Sequence, residues 1–155
     1  MPKLMGNRKV DYKPKDEYYT PRELFDELGI IFDLDVAAPV GGAKNVPAVE
    51  YFDKDSDGLT AKWFGNVWMN PPFSQATPWV EKFINHGLGI ALLPTSKAAW
   101  FAKIWLSAEG VLLLNRVKFD FEGKEKKQIF MPCMLFAYGS ENVKALYKVK
   151  DSRVR

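Results

Sequence analysis

Runs of apolar residues alternate along the chain with stretches whose apolar positions recur at helical spacing, which predicts a sheet with helices packed on it. The clearest strand is Gly89–Pro94, because a continuous apolar run of that length is typical of a buried parallel strand. The other predicted strands are 30–39, 49–52, 67–69, 110–119 and 131–139, and the predicted helices are 20–28, 77–86 and 98–106. This order of elements predicts an α/β domain.

The first helix carries a start signal in its own sequence. Thr20 is predicted at the N-cap, Pro21 at the first helical position, and Glu23 three residues after the cap, as in a capping box. Gly29 is predicted to end the helix, and Leu24 to lie on its buried stripe.

The last two predicted strands are joined by a short charged segment. Gly123–Lys127 is predicted to form a polar tip, and strands on either side of such a tip usually pair antiparallel. The sequence therefore predicts a last strand that runs against the others.

The composition narrows the class of protein. With 155 residues, of which 47% are apolar and 14% aromatic, the chain is predicted to form one globular domain. No apolar run approaches the roughly 18 residues of a membrane span, and the basic N-terminus does not resemble a secretory signal. A single cysteine excludes an internal disulfide, which fits a cytoplasmic protein, and a single histidine leaves no His-based metal site.

Basic residues concentrate at the two ends of the chain. The formal net charge of +3 permits nucleic-acid binding without arguing for it. The terminal basic residues are Lys3, Arg8, Lys9, Lys13 and Lys15 at one end, and Lys144, Lys148, Lys150, Arg153 and Arg155 at the other. We interpret 18–140 as the domain, 1–17 as a flexible basic segment before it, and 141–155 as a basic C-terminal segment after it. The two basic segments are either solvated or in contact with phosphates.

The strongest local constraint in the chain lies in the sequence Val67–Phe73. Its apolar strand residues run directly into Asn70, Pro71 and Pro72. Asn70 and Pro71 each precede a proline and are therefore pushed into extended geometry, while the prolines have fixed φ angles and no N–H to donate. A stiff turn is therefore predicted at the carboxyl end of a strand, where open α/β sheets bind their ligands.

This turn suits a reaction in which a poorly nucleophilic amine attacks an electrophile. The side-chain oxygen of Asn70 and the carbonyl of Pro71 could each accept one N–H of an exocyclic amino group, which would localise its lone pair. Phe73 offers a flat face on which a base could stack, a contact worth roughly 1–3 kcal/mol. Asn70 would act as an acceptor and positioner, not as a base. The alternative is simply a tight turn before a helix.

The sequence Asn70-Pro71-Pro72-Phe73 resembles the Asn/Asp/Ser-Pro-Pro-aromatic signature of amino-group methyltransferases that use S-adenosylmethionine. With its flanks, from about Tyr18 to about Gly139, the chain resembles the small phage-type DNA N6-adenine methyltransferases. The resemblance implies a Rossmann-like fold with a mostly parallel sheet, an antiparallel last strand and helices on both faces. It also implies methyl transfer from S-adenosylmethionine to the N6 atom of a flipped adenine in DNA, in the cytoplasm of a bacterial host if the chain is phage-encoded.

The same resemblance implies roles for individual residues. Those implied to bind the cofactor are Tyr19, Thr20 and Pro21 at its methionine end, Asp35, Ala37 and Ala38 at a strand end, and Asp57 and Leu59 near its adenine. Those implied to bind the target nucleotide are Phe73, Ser74, Ser96 and Lys97, beside the catalytic turn. The fuller Gly-x-Gly form of the cofactor motif is absent after Asp35.

Two further motifs suggest other chemistry, and both are set aside. The acidic run Asp53–Asp57 lacks the downstream glutamate that a calcium loop requires, so no metal site is predicted. Cys133 follows a proline, as a cytosine-C5 nucleophile would, but it lies inside an apolar run and is predicted to be a core residue.

Other functions remain compatible with the sequence. Relatives that carry Asn/Ser-Pro-Pro-aromatic turns methylate cytosine N4 or a protein glutamine. An inactive nucleotide- or DNA-binding module of the same fold is the alternative from a different class.

Overall fold

The computed structural model describes residues 18–114, 118–121, 124–128, 132–150 and 153–154. Its helices are α1 (Arg22–Leu28), α2 (Ala76–His86), α3 (Ala99–Ser107) and α4 (Ser140–Leu146), and a 3-10 turn covers Phe73–Gln75. Its strands are β1 (Tyr18–Tyr19), β2 (Phe32–Asp35), β3 (Ala48–Tyr51), β4 (Val67–Met69), β5 (Gly89–Pro94), β6 (Gly110–Leu114), β7 (Lys118–Phe121), β8 (Lys124–Gln128), β9 (Cys133–Tyr138) and β10 (Arg153–Val154). None of the helices in this part of the chain is long and apolar enough to cross a membrane.

The main sheet has the strand order β10-β6-β9-β5-β4-β2-β3. Strands β3, β2, β4 and β5 pair in parallel, whereas β9 pairs antiparallel with both β5 and β6. Strand β10 adds a further antiparallel pair at the edge, beside β6. The predicted mostly parallel sheet, with its late antiparallel strand at 131–139, is therefore confirmed.

Helices cover both faces of this sheet, as predicted. Because successive strand residues point to opposite faces, Val67 and Met69 of β4 join the core under α2 and α3, while Trp68 joins the core under α1 and α4. All six residues of β5 are buried, as its apolar run predicts. Each large side chain buried in these two cores contributes roughly 1.5–3 kcal/mol through the apolar surface that it removes from water.

The start of α1 differs from the predicted capping box. The helix begins at Arg22, with Pro21 rather than Thr20 at the N-cap, and no side chain caps it. Thr20 has a different partner, which lies in the candidate site. Gly29 ends the helix in left-handed geometry, as predicted.

The predicted long strand at 110–119 is wrong. Strand β6 ends at Leu114, and β7 belongs to a separate small sheet with the order β1-β7-β8. Tyr19 of β1 pairs with Asp120 of β7, so this small sheet leads directly into Thr20. Lys124 and Lys127, predicted to lie in a polar tip, are residues of β8.

Residues 140–150, most of which lie in the predicted basic C-terminal segment, pack on the sheet, while the side chains of Lys144, Lys148 and Lys150 are exposed. Helix α4 buries Ala145 and Leu146 in the core, and Val149 is buried after it. The basic residues between 1 and 17 lie outside the described residues.

The single cysteine and the tryptophans of α2 and α3 differ in how far they are buried. Cys133 is buried, and its burial raises the pKa of the thiol to about 11, which confirms a core cysteine rather than a nucleophile. Trp79 of α2 and Trp100 of α3 are buried, whereas Trp105 of α3 is 45% exposed and stacks on Phe101.

A pair of asparagines ties α4 to the start of β4. The buried Asn142 donates to the side-chain oxygen of Asn66 at 2.7 Å and to the Tyr138 carbonyl at 2.8 Å, and Asn66 donates back at 3.0 Å. Each of these buried polar groups is therefore satisfied by a partner on another segment.

We expect Asn142→Ala to lower the free energy of unfolding by about 1–3 kcal/mol, because it leaves the Tyr138 carbonyl and the Asn66 amide without their partner. Chemical denaturation measures the change. The matched control is Glu141→Ala, which removes an exposed carboxylate paired with Lys144 and should cost under about 0.5 kcal/mol. Equal effects of the two substitutions would show that α4 is not held by Asn142.

Candidate active site

The carboxyl ends of β2, β4 and β5 meet at one edge of the sheet. Strand β3 follows β2 in the chain and pairs on one side of β2. Strand β4 pairs on the other side of β2, and β5, which follows β4 in the chain, pairs with β4. The order of strands therefore reverses between β2 and β4. A crevice at such a reversal is the usual ligand site of an open α/β sheet.

Asn70 leaves β4 at this reversal. The two prolines that follow carry the chain away, with Pro71 buried and Pro72 at φ −57° and ψ 118°. Phe73 then begins the 3-10 turn that leads into α2, and its partly buried ring packs against the core under α1 and α4. The stiff turn predicted at this strand end is thus present.

The side chain of Asn70 contacts Thr20. Its amide nitrogen donates to the Thr20 hydroxyl at 3.2 Å, and the Asn45 amide donates to the Thr20 carbonyl at 3.0 Å. Thr20 is almost fully buried, at 3% exposure. The segment before α1, the loop after β2 and the turn after β4 therefore converge on this threonine.

Asp35 is the buried acid of the site. It is the last residue of β2, is 3% exposed, and accepts a hydrogen bond from the Ala37 N–H at 3.3 Å. Burial raises the pKa of its carboxyl from 3.8 to about 7, against a smaller lowering by that N–H. Ala38 is buried, and its N–H donates to the Phe52 carbonyl at 2.9 Å, which fixes the chain beyond the strand.

The loop that contains Asp57 and Leu59 packs against the end of β2. Gly58 has no room for a side chain, because a Cβ there would lie 2.0 Å from the Val36 carbonyl oxygen and 2.9 Å from the Trp79 ring. Asp57 is exposed, has a positive φ of 50°, and accepts the Leu59 N–H at 3.2 Å. The loop is thus packed against Val36, the residue that follows Asp35 in the chain.

Lys82 of α2 fixes this loop, a role that the sequence did not reveal. Its ammonium donates to the carbonyls of Gly58 at 3.2 Å and Leu59 at 2.8 Å, and also to that of Ala61. It also lies 5.1 Å from the Trp63 ring centroid, a cation–π distance. Partial burial lowers the pKa of Lys82, while the nearby Asp57 carboxylate opposes that effect.

The acidic run is explained by turn chemistry. Asp53 accepts hydrogen bonds from the N–H groups of Asp55, Ser56 and Gly41, which lower the pKa of its carboxyl. No cluster of His, Cys, Asp and Glu that could hold a metal occurs among the described residues.

The remaining predicted residues follow β5, lie in the 3-10 turn or precede Thr20. Ser96 follows β5, and its hydroxyl accepts the Ala98 N–H at 3.0 Å, while Lys97 is exposed. Ser74 is exposed in the 3-10 turn, and Tyr19 lies in β1 immediately before Thr20. Because β5 pairs with β4, Ser96 and Lys97 follow the strand next to Asn70.

Comparison with known proteins identifies the family. A family model described as DNA N-6-adenine-methyltransferase (Dam) matches residues 7–143. The chain is 27% identical over 150 residues to a DNA N-6-adenine-methyltransferase of Haemophilus phage HP1 (strain HP1c1), an alignment that covers 87% of this chain and 85% of that protein. It is also 27% identical over 122 residues to a DNA N-6-adenine-methyltransferase of Escherichia phage T1, covering 72% of this chain and 50% of that protein. Because the family model spans most of the sequence, the chain belongs to the DNA N-6-adenine-methyltransferase (Dam) family.

Proposed function

We propose that this enzyme transfers the methyl group of S-adenosylmethionine to the N6 amino group of adenine in DNA, with Asn70, Pro71, Pro72 and Phe73 as its catalytic turn. The observation that supports this proposal most strongly is the position of Asn70, in a member of this family, at the point where the strand order reverses between β2 and β4.

The chemistry required of the turn is acceptance of two N–H bonds. The adenine amino group is a poor nucleophile because its lone pair is delocalised into the ring. Hydrogen bonds to the Asn70 side-chain oxygen and the Pro71 carbonyl draw that lone pair toward the methyl carbon, and they strengthen as positive charge develops on nitrogen. As the N–C bond forms, the C–S bond of the sulfonium would break to leave a neutral thioether, and the excess proton on nitrogen would leave to solvent.

A paired adenine must leave the base stack before its amino group can reach Asn70. In our proposal Phe73 stacks on the flipped base, while Ser74, Ser96 and Lys97 bind the target nucleotide and its phosphate. Phe73 is held partly buried by the core under α1 and α4, so its ring is supported from behind.

The residues beside Asn70 fit the proposed cofactor. S-adenosylmethionine carries positive charge on its sulfonium and ammonium groups, and when bound it supplies an electrophilic methyl group. The buried Asp35 supplies a carboxylate with unused acceptor capacity, since the Ala37 N–H is its hydrogen-bond donor among the described residues. We propose that Asp35, Ala37, Ala38, Asp57 and Leu59 hold the nucleoside part, and that Tyr19 and Pro21 border the methionine end.

Strand β8 is our proposed contact with the DNA backbone. It carries Lys124, Lys126 and Lys127, and it pairs with β7, which in turn pairs with β1 just before Thr20. The small sheet therefore connects a basic strand to the candidate site.

We expect Asn70→Ala to lower kcat for methyl transfer by about 100-fold or more, because the substitution removes a transition-state acceptor. The measurement is transfer of labelled methyl groups to unmethylated DNA, followed by nucleoside analysis. The matched control is Asn85→Ala, at an exposed asparagine of α2, which should leave the rate unchanged.

The nucleoside analysis also tests the substrate. Label in N6-methyladenine supports the proposal, whereas label in N4-methylcytosine would contradict the assigned base. Cofactor binding without any label in DNA would contradict DNA methylation and favour a protein substrate or an inactive module.

We expect the affinity for S-adenosylmethionine to increase about tenfold between pH 6 and pH 8, as Asp35 with its pKa of about 7 becomes ionised and attracts the cationic cofactor. Isothermal titration calorimetry measures this change. Asp35→Asn should remove most of the pH dependence, and any residual slope reports titration of the cofactor itself. An equal slope in both proteins would exclude Asp35 from cofactor binding.

The stability of the cofactor-free protein provides an independent check on Asp35. Between about pH 4 and pH 7 the folded chain retains a proton that the unfolded chain has released, so the free energy of unfolding falls as the pH rises. Asp35→Asn should therefore gain stability relative to the wild type over this window, by on the order of 3–4 kcal/mol. Asp26→Asn, at an exposed aspartate of α1, should show no such gain.

We expect the triple substitution of Lys124, Lys126 and Lys127 by glutamine to flatten the salt dependence of DNA binding, because fewer counterions are released when fewer cations contact phosphates. Fluorescence anisotropy with a labelled duplex across a series of salt concentrations measures the slope. Substitution of the exposed Lys54, Lys62 and Lys103 by glutamine is the charge-matched control. An unchanged slope in the β8 variant would contradict a phosphate contact there.

A further inference from the structure

Thr20 makes a contact whose chemistry differs from cofactor binding. Its hydroxyl oxygen accepts the Asn70 amide at 3.2 Å, and at 3% exposure the residue has almost no free surface. The hydroxyl is thus directed at the side chain that we propose as the catalytic acceptor.

The orientation of a carboxamide decides what Asn70 can do. Its oxygen accepts and its nitrogen donates, yet the two ends are nearly equal in shape. With the nitrogen turned toward the substrate, a donor would face the adenine amino group, which also donates there. With the nitrogen held on the Thr20 hydroxyl, the oxygen is left to accept the amino group of the base.

The position of Thr20 is itself fixed from several directions. Tyr19, just before it, is paired in β1, and Pro21, just after it, has a restricted φ and caps α1. The Asn45 amide holds the Thr20 carbonyl at 3.0 Å, and β-branching restricts the rotamer of the hydroxyl. The hydroxyl oxygen is therefore held in place beside the Asn70 amide.

We infer that Thr20 is a positioning residue, which holds the Asn70 carboxamide with its oxygen toward the substrate, and that Asn45 holds Thr20 in place. This inference rests on the proposed function, because it assigns the orientation of the proposed catalytic acceptor. The assignment also separates Thr20 from the residues that bind the cofactor directly.

The test compares Thr20→Val, which keeps the shape and removes the hydroxyl oxygen, with Thr20→Ser, which keeps the hydroxyl. Thr20→Val should lower kcat by about 10- to 100-fold with the Kd for S-adenosylmethionine unchanged within twofold, and Thr20→Ser should restore most of the rate. Thr77→Val, at an exposed threonine of α2, is the control and should behave as the wild type.

A double-mutant cycle distinguishes this role from cofactor binding. If Thr20 acts through Asn70, Thr20→Val causes no further loss in the Asn70→Ala background. A loss that persists in that background, together with a weaker Kd for the cofactor, would overturn the inference and place Thr20 on the cofactor.

A spectroscopic measurement tests the contact without any activity. The side-chain amide signals of Asn70, identified by their disappearance in Asn70→Ala, should shift and exchange faster with solvent in Thr20→Val but not in Thr20→Ser. Unchanged amide signals in Thr20→Val would overturn the inference, regardless of the methyl-transfer activity of that variant. If the amide signals shift in Thr20→Val but not in Thr20→Ser, and the wild type nevertheless leaves DNA unmethylated, the proposed function is overturned and not the inference.

Discussion

The paired prolines after β4 are the constraint on which the site depends. Neither can donate a hydrogen bond, and together they fix the backbone that follows Asn70. The rest of the site is arranged around this rigid turn: Thr20 contacts the Asn70 amide, and Phe73 enters the 3-10 turn with its ring supported by the core. A catalytic acceptor gains from such rigidity, because orientation that is fixed by folding does not have to be achieved during the reaction.

The loop that we propose to contact the cofactor is held by a different set of contacts. Gly58 permits close contact between its loop and the end of β2. The ammonium group of Lys82 in α2 donates to three carbonyls of the same loop. A loop held through its backbone keeps its own side chains available for a ligand. Asp57 is exposed and available to a ligand, whereas the partly buried Leu59 side chain also packs on the core under α2 and α3.

The sequence predicted those features that local physics determines. Gly89–Pro94 was identifiable because a strand buried on both faces has to be apolar throughout, and Asn70 because its two prolines act on adjacent residues. The partners of Thr20 and Lys82 were not identifiable, because each bond joins residues more than 20 positions apart and neither leaves a periodic signal. The small sheet was missed for the same reason: the charged residues 124–127 carry no apolar alternation, and no local pattern says that β1 is the neighbour of β7. Helix α4 was missed because its buried residues are scattered among charged ones.

The central place of β9 has a consequence for how the chain folds. It is the second-last strand along the chain, yet it lies between β5 and β6 and pairs with both of them. Until residues 133–138 have been synthesised, β5 and β6 each present an apolar edge with unpaired backbone groups, and such edges are sites of aggregation. The sheet must therefore close late, through contacts of high sequence separation, and topologies of this kind fold slowly. A chain released before β9 would contain the Asn70–Phe73 turn in its sequence. It would lack the strand that joins the two halves of the sheet that carries this turn.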